Sequence, residues 1–184
     1  MNLKLRKLGT QDYRKTWASM QNVILSKGNE DPDELWLLEH FPVYTLGFGA
    51  SEDHLLRENN IPVVRSDRGG EVTYHGPGQI VAYFLINLRR KNWGPKRFVN
   101  ELEASVIDFL KKYNISSSRQ SGEPGIYVKD KKISSVGLKI KRGFSYHGLS
   151  INIDMDLSPF ENINVCGNEG LKVTHLNKFA EVSI

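Results

Sequence analysis

Between Arg68 and Gln79 the chain places four glycines, Pro77 and the polar residues Arg68, Glu71, Thr73, Tyr74 and His75 within twelve positions. Glycine lets a backbone approach a ligand closely or turn through positive φ, and proline fixes φ. Directly after it comes Ile80-Val-Ala-Tyr-Phe-Leu-Ile-Asn-Leu88, whose β-branched and aromatic residues read as a buried strand. A polar, glycine-rich loop joined to a buried strand is a common way to build a site on a rigid support. An exposed hairpin turn is the plainer reading, and composition alone does not separate the two.

The rest of the chain surrounds this stretch with short elements. Leu3 to Leu8 alternates apolar and basic residues and predicts an edge strand. Thr10 is positioned to cap a helix in which Tyr13, Trp17, Met20 and Ile24 recur at helical spacing, ending by Gly28. Strands are predicted over Glu34 to His40 and Val43 to Leu46, separated by Phe41-Pro42. Ser51 then predicts a short helix through about Asn59, and Pro62 to Arg65 a short strand. Pro95 opens a second helix with the stripe Phe98, Leu102, Val106, Phe109 and Tyr113, stopping near Asn114. Strands follow over Gly125 to Val128, Lys132 to Ile140 and Phe144 to Ile153, with turns at Asp130-Lys131 and Arg142-Gly143. Ser158-Pro159 starts a helical turn, and Asn164 to Gly167 is loop. Strands outnumber helices and meander more than they alternate with them, which predicts one α+β domain over residues 1–184: a mixed or antiparallel sheet with flanking helices.

Bulk numbers narrow the class. At 184 residues, 39% hydrophobic and 25% charged, the chain has the composition of an ordinary globular domain with a real core. A net charge of +4, interspersed with acids, is too mild to argue for nucleic acid, but would steer an acidic protein partner. Lys139-Ile-Lys141-Arg142 is the densest basic cluster and reads as a solvated strand edge. No run approaches the roughly 18 apolar residues of a membrane span, and the first residues lack a signal-peptide core. With the single cysteine Cys166 no intramolecular disulfide forms, so a reducing, cytoplasmic location is expected.

Candidates for chemistry are few. A free cysteine is usually a small buried hydrophobe. Cys166, however, sits among Asn164, Gly167, Asn168 and Glu169, and a loop thiol near a cation has its pKa lowered from about 8.5 and becomes a nucleophile. Lys132 stands beside two serines and Gly137 at a strand start, either as a turn lysine or as a pocket cation. His75 and His147 each occupy a Tyr-His-Gly and suit the polar lining of a pocket. No CxxC, HxxxH or HxE spacing supports a metal, and no GxxxxGK[ST], GxGxxG or GxSxG motif supports a nucleotide or serine-hydrolase site.

Taken together the segments closely resemble the lipoyl(octanoyl) transferases, octanoyl-[acyl-carrier-protein]:protein N-octanoyltransferases. The resemblance is carried by the RGG-x-VTYHGPGQ loop at Arg68 to Gln79 and the KI-x-S-x-G motif at Lys132 to Gly137. Two further motifs are the YHG-x-x-x-N-x-D-x-D-L-x-x-F segment at Tyr146 to Phe160 and the loop ending in Cys166-Gly167. Leu38-Glu-His40 with Pro42 to Gly47 matches a first motif, so the likeness runs from about Leu35 to Leu176.

The resemblance implies the fold of lipoate– and biotin–protein ligases and a Cys/Lys mechanism. Cys166 is implied as the nucleophile that carries octanoyl as a thioester, with Lys132 as its proton-shuttling partner. Arg68, Gly69, Gly70, Glu71, Val72, Thr73, Tyr74 and His75 are implied to line the acyl pocket, together with Ser135, Val136, Gly137, Gly148, Leu149 and Ser150. Backbone N–H groups around Ser135 to Gly137 are candidates for holding the oxyanion. The implied donor is octanoyl-acyl carrier protein, whose phosphopantetheine bears the acyl group. The implied acceptors are lipoyl domains of 2-oxoacid dehydrogenase complexes and the glycine cleavage H protein. No bound cofactor, metal, nucleic acid or membrane is expected. The competing readings are an ATP-dependent lipoate–protein ligase, which needs no cysteine, amidotransfer between lipoyl domains, and a non-catalytic acyl-binding protein.

Overall fold

A computed structural model describes residues 3–57 and 60–182. Ten strands and two helices follow in the order β1 (Leu3–Gln11), α1 (Tyr13–Ser26), β2 (Asp33–His40), β3 (Val43–Leu46), β4 (Val63–Arg65), β5 (Thr73–His75), β6 (Gln79–Leu85), α2 (Pro95–Lys111), β7 (Ser118–Gln120), β8 (Glu123–Val128), β9 (Lys131–Lys141) and β10 (Phe144–Asn152). Seven strands form one mixed sheet in the order β1-β2-β6-β10-β9-β8-β7, and three form a second in the order β4-β3-β5. In the large sheet only the β1/β2 pair is parallel, joined through α1; the other pairs are antiparallel.

The apolar run of β6 is explained by burial on both faces, the situation in which strict alternation with polar residues disappears. Val81, Tyr83 and Leu85 pack with Trp36, Leu38, Phe144 and Tyr146 under Met20 and Ile24 of α1. Ala82 instead belongs to the opposite core, with Leu149 and with Phe98, Leu102, Val106 and Leu110 of α2. Each fully buried aliphatic of these rows contributes roughly 1.5–3 kcal/mol, so the two helices clamp the sheet that carries the site. A third cluster, Tyr44, Leu46, Val72, Tyr74, Phe160, Ile163 and Val165, fastens the small sheet to the C-terminal loops.

Several local expectations are corrected. Asp12, not Thr10, caps α1: its side chain accepts from the Lys15 N–H, while Thr10 still lies in β1 opposite Glu39. The helix after Ser51 is one 3-10 turn, Glu52–His54, because Leu55 leaves it to pair with Ile163; Glu58 and Asn59 lie outside the described residues. The strand expected to Leu88 ends at Leu85. The turn after β8 is Lys129-Asp130, both at positive φ. Thr73–His75 is a strand of the small sheet, so the glycine-rich segment is no hairpin tip; it carries the chain from one sheet to the other. Beyond Ser135, β9 has no β8 partner, which makes Lys139 to Arg142 part of an open edge, as expected. Among the described residues no helix is long and apolar enough to cross a membrane.

Candidate active site

Cys166 and Lys132, 34 residues apart in sequence, meet at the junction of the two sheets. Lys132 Nζ donates to Cys166 Sγ at 2.9 Å. Local backbone geometry on both sides produces the contact. Cys166 sits in a 3-10 turn, Val165–Gly167, at φ 57 and ψ 24, a left-handed conformation that a non-glycine residue adopts only when its surroundings hold it there. The holding contacts are the Cys166 N–H to Val72 O at 3.2 Å and the burial of Ile163 and Val165 in the third core.

Lys132 is only 1% exposed. Its register against β8 skips one residue between the Ile126/Ser134 and Tyr127/Lys132 pairs. Such a bulge re-aims the side chain relative to the regular ladder. The Lys132 N–H donates to Lys172 O and its C=O accepts from Thr174 N–H, both at 2.9 Å, so a C-terminal segment straps this end of β9. The ammonium lies over the Tyr127 ring at 5.2 Å. Gly125 leaves the space beside it: a Cβ there would stand 2.6 Å from Lys132 Cε and closer still to Ser134 O.

Two adjoining cavities share Gly70, Glu71, Val136, Gly137 and Cys166. The first is about 50 Å³, room for a few waters, and is lined further by Arg68, Val72, Thr73, His75, Ser135, Gly148, Leu149 and Ser150. Nearly the whole set implied by the sequence resemblance is therefore brought together. Gly69 lines the second cavity instead, about 450 Å³, which also reaches Lys132. Tyr74 is the exception. Thr73 and His75 face the first cavity, so the alternation of β5 turns Tyr74 the other way, against Tyr44 and Phe160 at 5.5 Å each.

Arg68 organises the loop. Its guanidinium donates to Thr45 O, Thr45 Oγ1, Glu71 O and Gly69 O, four neutral acceptors, and burial pushes its pKa down. The loop then docks on the open edge of β9 through Gly69 N–H to Leu138 O at 2.9 Å. Gly148 permits a close strand approach, since a Cβ there would strike Ala82 O and Phe84.

The inner wall adds His147, in keeping with its Tyr-His-Gly context, and Tyr13, Val81 and Tyr83, which the motif reading missed. His147 Nε2 donates to Asp67 Oδ1 at 2.9 Å. Burial pushes the imidazole pKa down, against Asp67, which raises it. Asp67 also accepts from Trp17, Gln21 and Tyr146. Burial would raise its pKa, yet the hydrogen bonds from His147 and Tyr146 outweigh that and hold it well below the carboxylate range. His75 Nδ1 pairs with Gln79 Oε1 at 2.7 Å, and burial pushes its pKa to about 3. His40 bridges Gln11 O and the Tyr83 hydroxyl and is pushed to about 4, again chiefly by burial. Both rings are therefore neutral near neutral pH, His75 in the cavity wall and His40 behind it, 5.7 Å from His75. Gly125 and Asp67 could have been found only from tertiary proximity, because neither belongs to a chemical pattern in the sequence. Among the described residues no group of three or more His, Cys, Asp or Glu side chains is arranged to hold a metal.

A sequence profile of the lipoyl protein ligase A/B catalytic domain matches residues 12–184. An octanoyltransferase from Vibrio atlanticus is 51% identical over 176 residues, covering 96% of this chain and 80% of the relative. In structure, a lipoate-protein ligase A bound with ATP superposes with a TM-score of 0.83 at 16% identity, over all of this chain and 80% of that one. The biotin protein ligase of Aquifex aeolicus gives 0.55 at 14% identity, over all of this chain and 61% of that one. At such identities the structural likenesses speak for the fold alone.

Proposed function

The chain belongs to the lipoyl protein ligase A/B catalytic family, and we propose that within it this protein is an octanoyltransferase. It moves octanoyl from the phosphopantetheine thioester of acyl carrier protein to a lysine of lipoyl domains, through a thioester on Cys166. The 2.9 Å contact between Lys132 Nζ and Cys166 Sγ, at the shared wall of two cavities, carries this reading.

One proton serves the whole cycle. In the first half, Cys166 Sγ attacks the octanoyl carbonyl, forming a C–S bond through a tetrahedral oxyanion. The bond to the pantetheine sulfur breaks, and the Lys132 ammonium protonates the departing thiolate. In the second half, the neutral ε-amine of the acceptor lysine attacks the Cys166 thioester. A C–N bond forms, the C–Sγ bond breaks, and Lys132 takes the amine proton, restoring ammonium beside thiolate. Thioester exchange is nearly balanced and amide formation is downhill, so the cycle needs no ATP and no bound cofactor.

Backbone direction decides whether Ser135 to Gly137 can hold the oxyanion. Because Leu138 O accepts from Gly69 N–H, Leu138 and, two residues earlier, Val136 turn their amide groups towards the open edge. Ser135 and Gly137 point theirs into the β10 ladder. The Gly125↔Ser135 pairing in turn directs the Val136 N–H to Pro124 O of β8, so the amides of Ser135 to Gly137 are engaged in ladders. The narrow cavity takes the carbonyl end of the acyl group, and seating eight carbons parts the walls at Val72, Leu149 and Tyr13. Acceptors of the 2-oxoacid dehydrogenase and glycine cleavage H type, and a cytoplasmic setting, belong to this reading.

Intact-protein mass spectrometry after mixing with octanoyl-acyl carrier protein, without ATP, tests it. The expected result is one octanoyl adduct, absent from Cys166→Ala, that passes to an added lipoyl domain. No adduct, with lipoyl-domain modification appearing only from free octanoate plus ATP, would overturn the transferase in favour of a ligase.

A further inference from the structure

The larger cavity opens between the first turn of α2 and the open edge of β9, and its surroundings carry an unusual concentration of positive charge. Pro95 and Val99 of α2 line one side, Lys139 and Ile140 the other, with Cys166 and Lys132 at the inner end. Exposed Lys96 and Arg97 occupy the first turn of α2, which has no acid and no side-chain cap. Helix N-termini favour acids, and cations there cost stability. Two adjacent cations at this end break the local rule, a pattern expected where function takes precedence. Arg97 has a distant ion pair, 3.8 Å to Glu101, and lies 5.1 Å from the Trp93 ring, so its charge is not neutralised by a close partner.

On the opposite side, Lys139 lies 5.1 Å from the ring of Phe48, which is 76% exposed. Lys141 follows two residues along the same face of β9, also exposed. A neighbouring hollow shares Pro95 and Ile140 with this cavity and adds exposed Arg89. The acids close by are occupied: Glu123 accepts from Tyr127 and Asn168, and Glu101 is the partner of Arg97. Glu71, on the inner wall, is the other carboxylate that lines the cavity.

Resting on the transferase reading, we infer that this rim, formed by Lys96, Arg97, Lys139, Lys141 and Phe48, is the docking surface for the acidic acyl carrier, whose pantetheine arm threads the larger cavity to Cys166. Charge complementarity names the occupant. A negatively charged carrier with a thioester on a long flexible arm needs a positive rim beside a channel that ends at the nucleophile, and exposed Phe48 supplies an aromatic contact within the charged ring. The arm fills the channel while the carrier body stays outside. Steering of this kind acts on the association rate and weakens with salt, since charges are screened beyond about 8 Å at physiological ionic strength.

The test compares two donors on the same enzyme. Lys96→Glu/Arg97→Glu/Lys141→Glu replaces first-turn cations with residues the helix end prefers, so folding is not the expected casualty. Cys166 acylation is followed by mass spectrometry from octanoyl-acyl carrier protein and from octanoyl-pantetheine, which has the arm but no protein. The charge-reversed variant is expected to lose about 10-fold or more in kcat/KM with the carrier relative to its change with octanoyl-pantetheine, and to lose most of the salt dependence. Lys4→Glu/Lys7→Glu, on the far edge strand, changes net charge in the same direction and is expected to load from the carrier at the wild-type rate. Equal losses from both donors, or none from the carrier, overturn the docking surface while leaving the transferase intact. Slowed transfer to the lipoyl domain with normal loading assigns the rim to the acceptor and also overturns it. Wild-type enzyme that loads from neither donor overturns the transferase reading itself.

Discussion

Gly125→Ala is the sharpest test of how the Cys166/Lys132 pair is built, because Gly125 has no chemistry of its own. Its φ of +139 lies where side-chain-bearing residues rarely go, and the added Cβ would sit 2.6 Å from Lys132 Cε and 3.3 Å from Nζ. The backbone conformation alone costs about 1–3 kcal/mol for a non-glycine residue. For a chain of this size that corresponds to a Tm lower by about 2–12 °C, so the variant is expected to remain folded at 25 °C.

The new Cβ also stands 2.4 Å from Ser134 O, so the backbone must shift too and adds to that cost, while the flexible Lys132 side chain moves off Sγ. General acid–base catalysis by a positioned group contributes about 10²–10⁴-fold. The rate of octanoyl adduct formation at Cys166 is therefore expected to fall by about 10²-fold or more, measured by rapid-quench mass spectrometry with circular dichroism to confirm folding. If the loss acts through Lys132, then Gly125→Ala in a Lys132→Met background removes little more, since both changes delete one interaction. A folded Gly125→Ala enzyme loading at the wild-type rate would refute the argument, as would full additivity with Lys132→Met.

Two pH-linked predictions follow from the inner wall. His40 and His75 titrate near 4 and 3 in the folded protein but near 6.5 when unfolded, so between those values only the unfolded chain takes up their protons. Stability is full above about pH 6.5 and falls as pH drops towards 4, by up to about 1.4 kcal/mol per pH unit for each ring; urea titrations at pH 7, 6 and 5 that give one stability would contradict this. Asp67 has the acid's sign: its lowered pKa contributes stability above about pH 4 that is lost as pH falls through the folded value. Asp67→Asn, which presents an amide N–H₂ to donors, is expected to cost about 2–3 kcal/mol at pH 7 and progressively less below pH 4. A penalty independent of pH would show that shape, not charge, matters there.

What could be read from the sequence follows from the range of the forces involved. The stripes Tyr13/Trp17/Met20/Ile24 and Phe98/Leu102/Val106/Phe109/Tyr113 and the apolar run of β6 are local patterns; most became the buried face expected, while Trp17, Phe109 and Tyr113 are half-buried and Leu110 takes the inner position at the end of α2. Cys166, Lys132 and the glycine loop were legible because their motifs are contiguous. The pairing of Thr73–His75 with β3 was not legible, since three residues amid glycines carry no period, and only packing against Tyr44 and Phe160 makes them a strand. Thr10 looked like a cap because Thr and Asp both cap; the parallel register of β1 with Glu39 and His40 extends the strand past it and hands the role to Asp12. Tyr13 and Tyr83 looked like core residues and are so, yet they also wall the cavity.

The catalytic pair is assembled from two packing units that could in principle drift apart. Cys166 rides on the small-sheet core through Val165 and Ile163, whereas Lys132 precedes Ile133 in the α2-side core. A 2.9 Å contact between them needs a connection stiffer than either loop. Segment Lys172 to Thr174 supplies one: its backbone brackets Lys132 with two hydrogen bonds while Val173 packs in the small-sheet core beside Cys166. The glycine loop supplies the other, taking the Cys166 N–H on Val72 O and fixing Gly69 to Leu138 of β9. Both connections end on β9, at Lys132 and at Leu138, one on each side of Val136. The strand that carries Lys132 is thus held at two points, and the geometry of nucleophile and base is set by one rigid element.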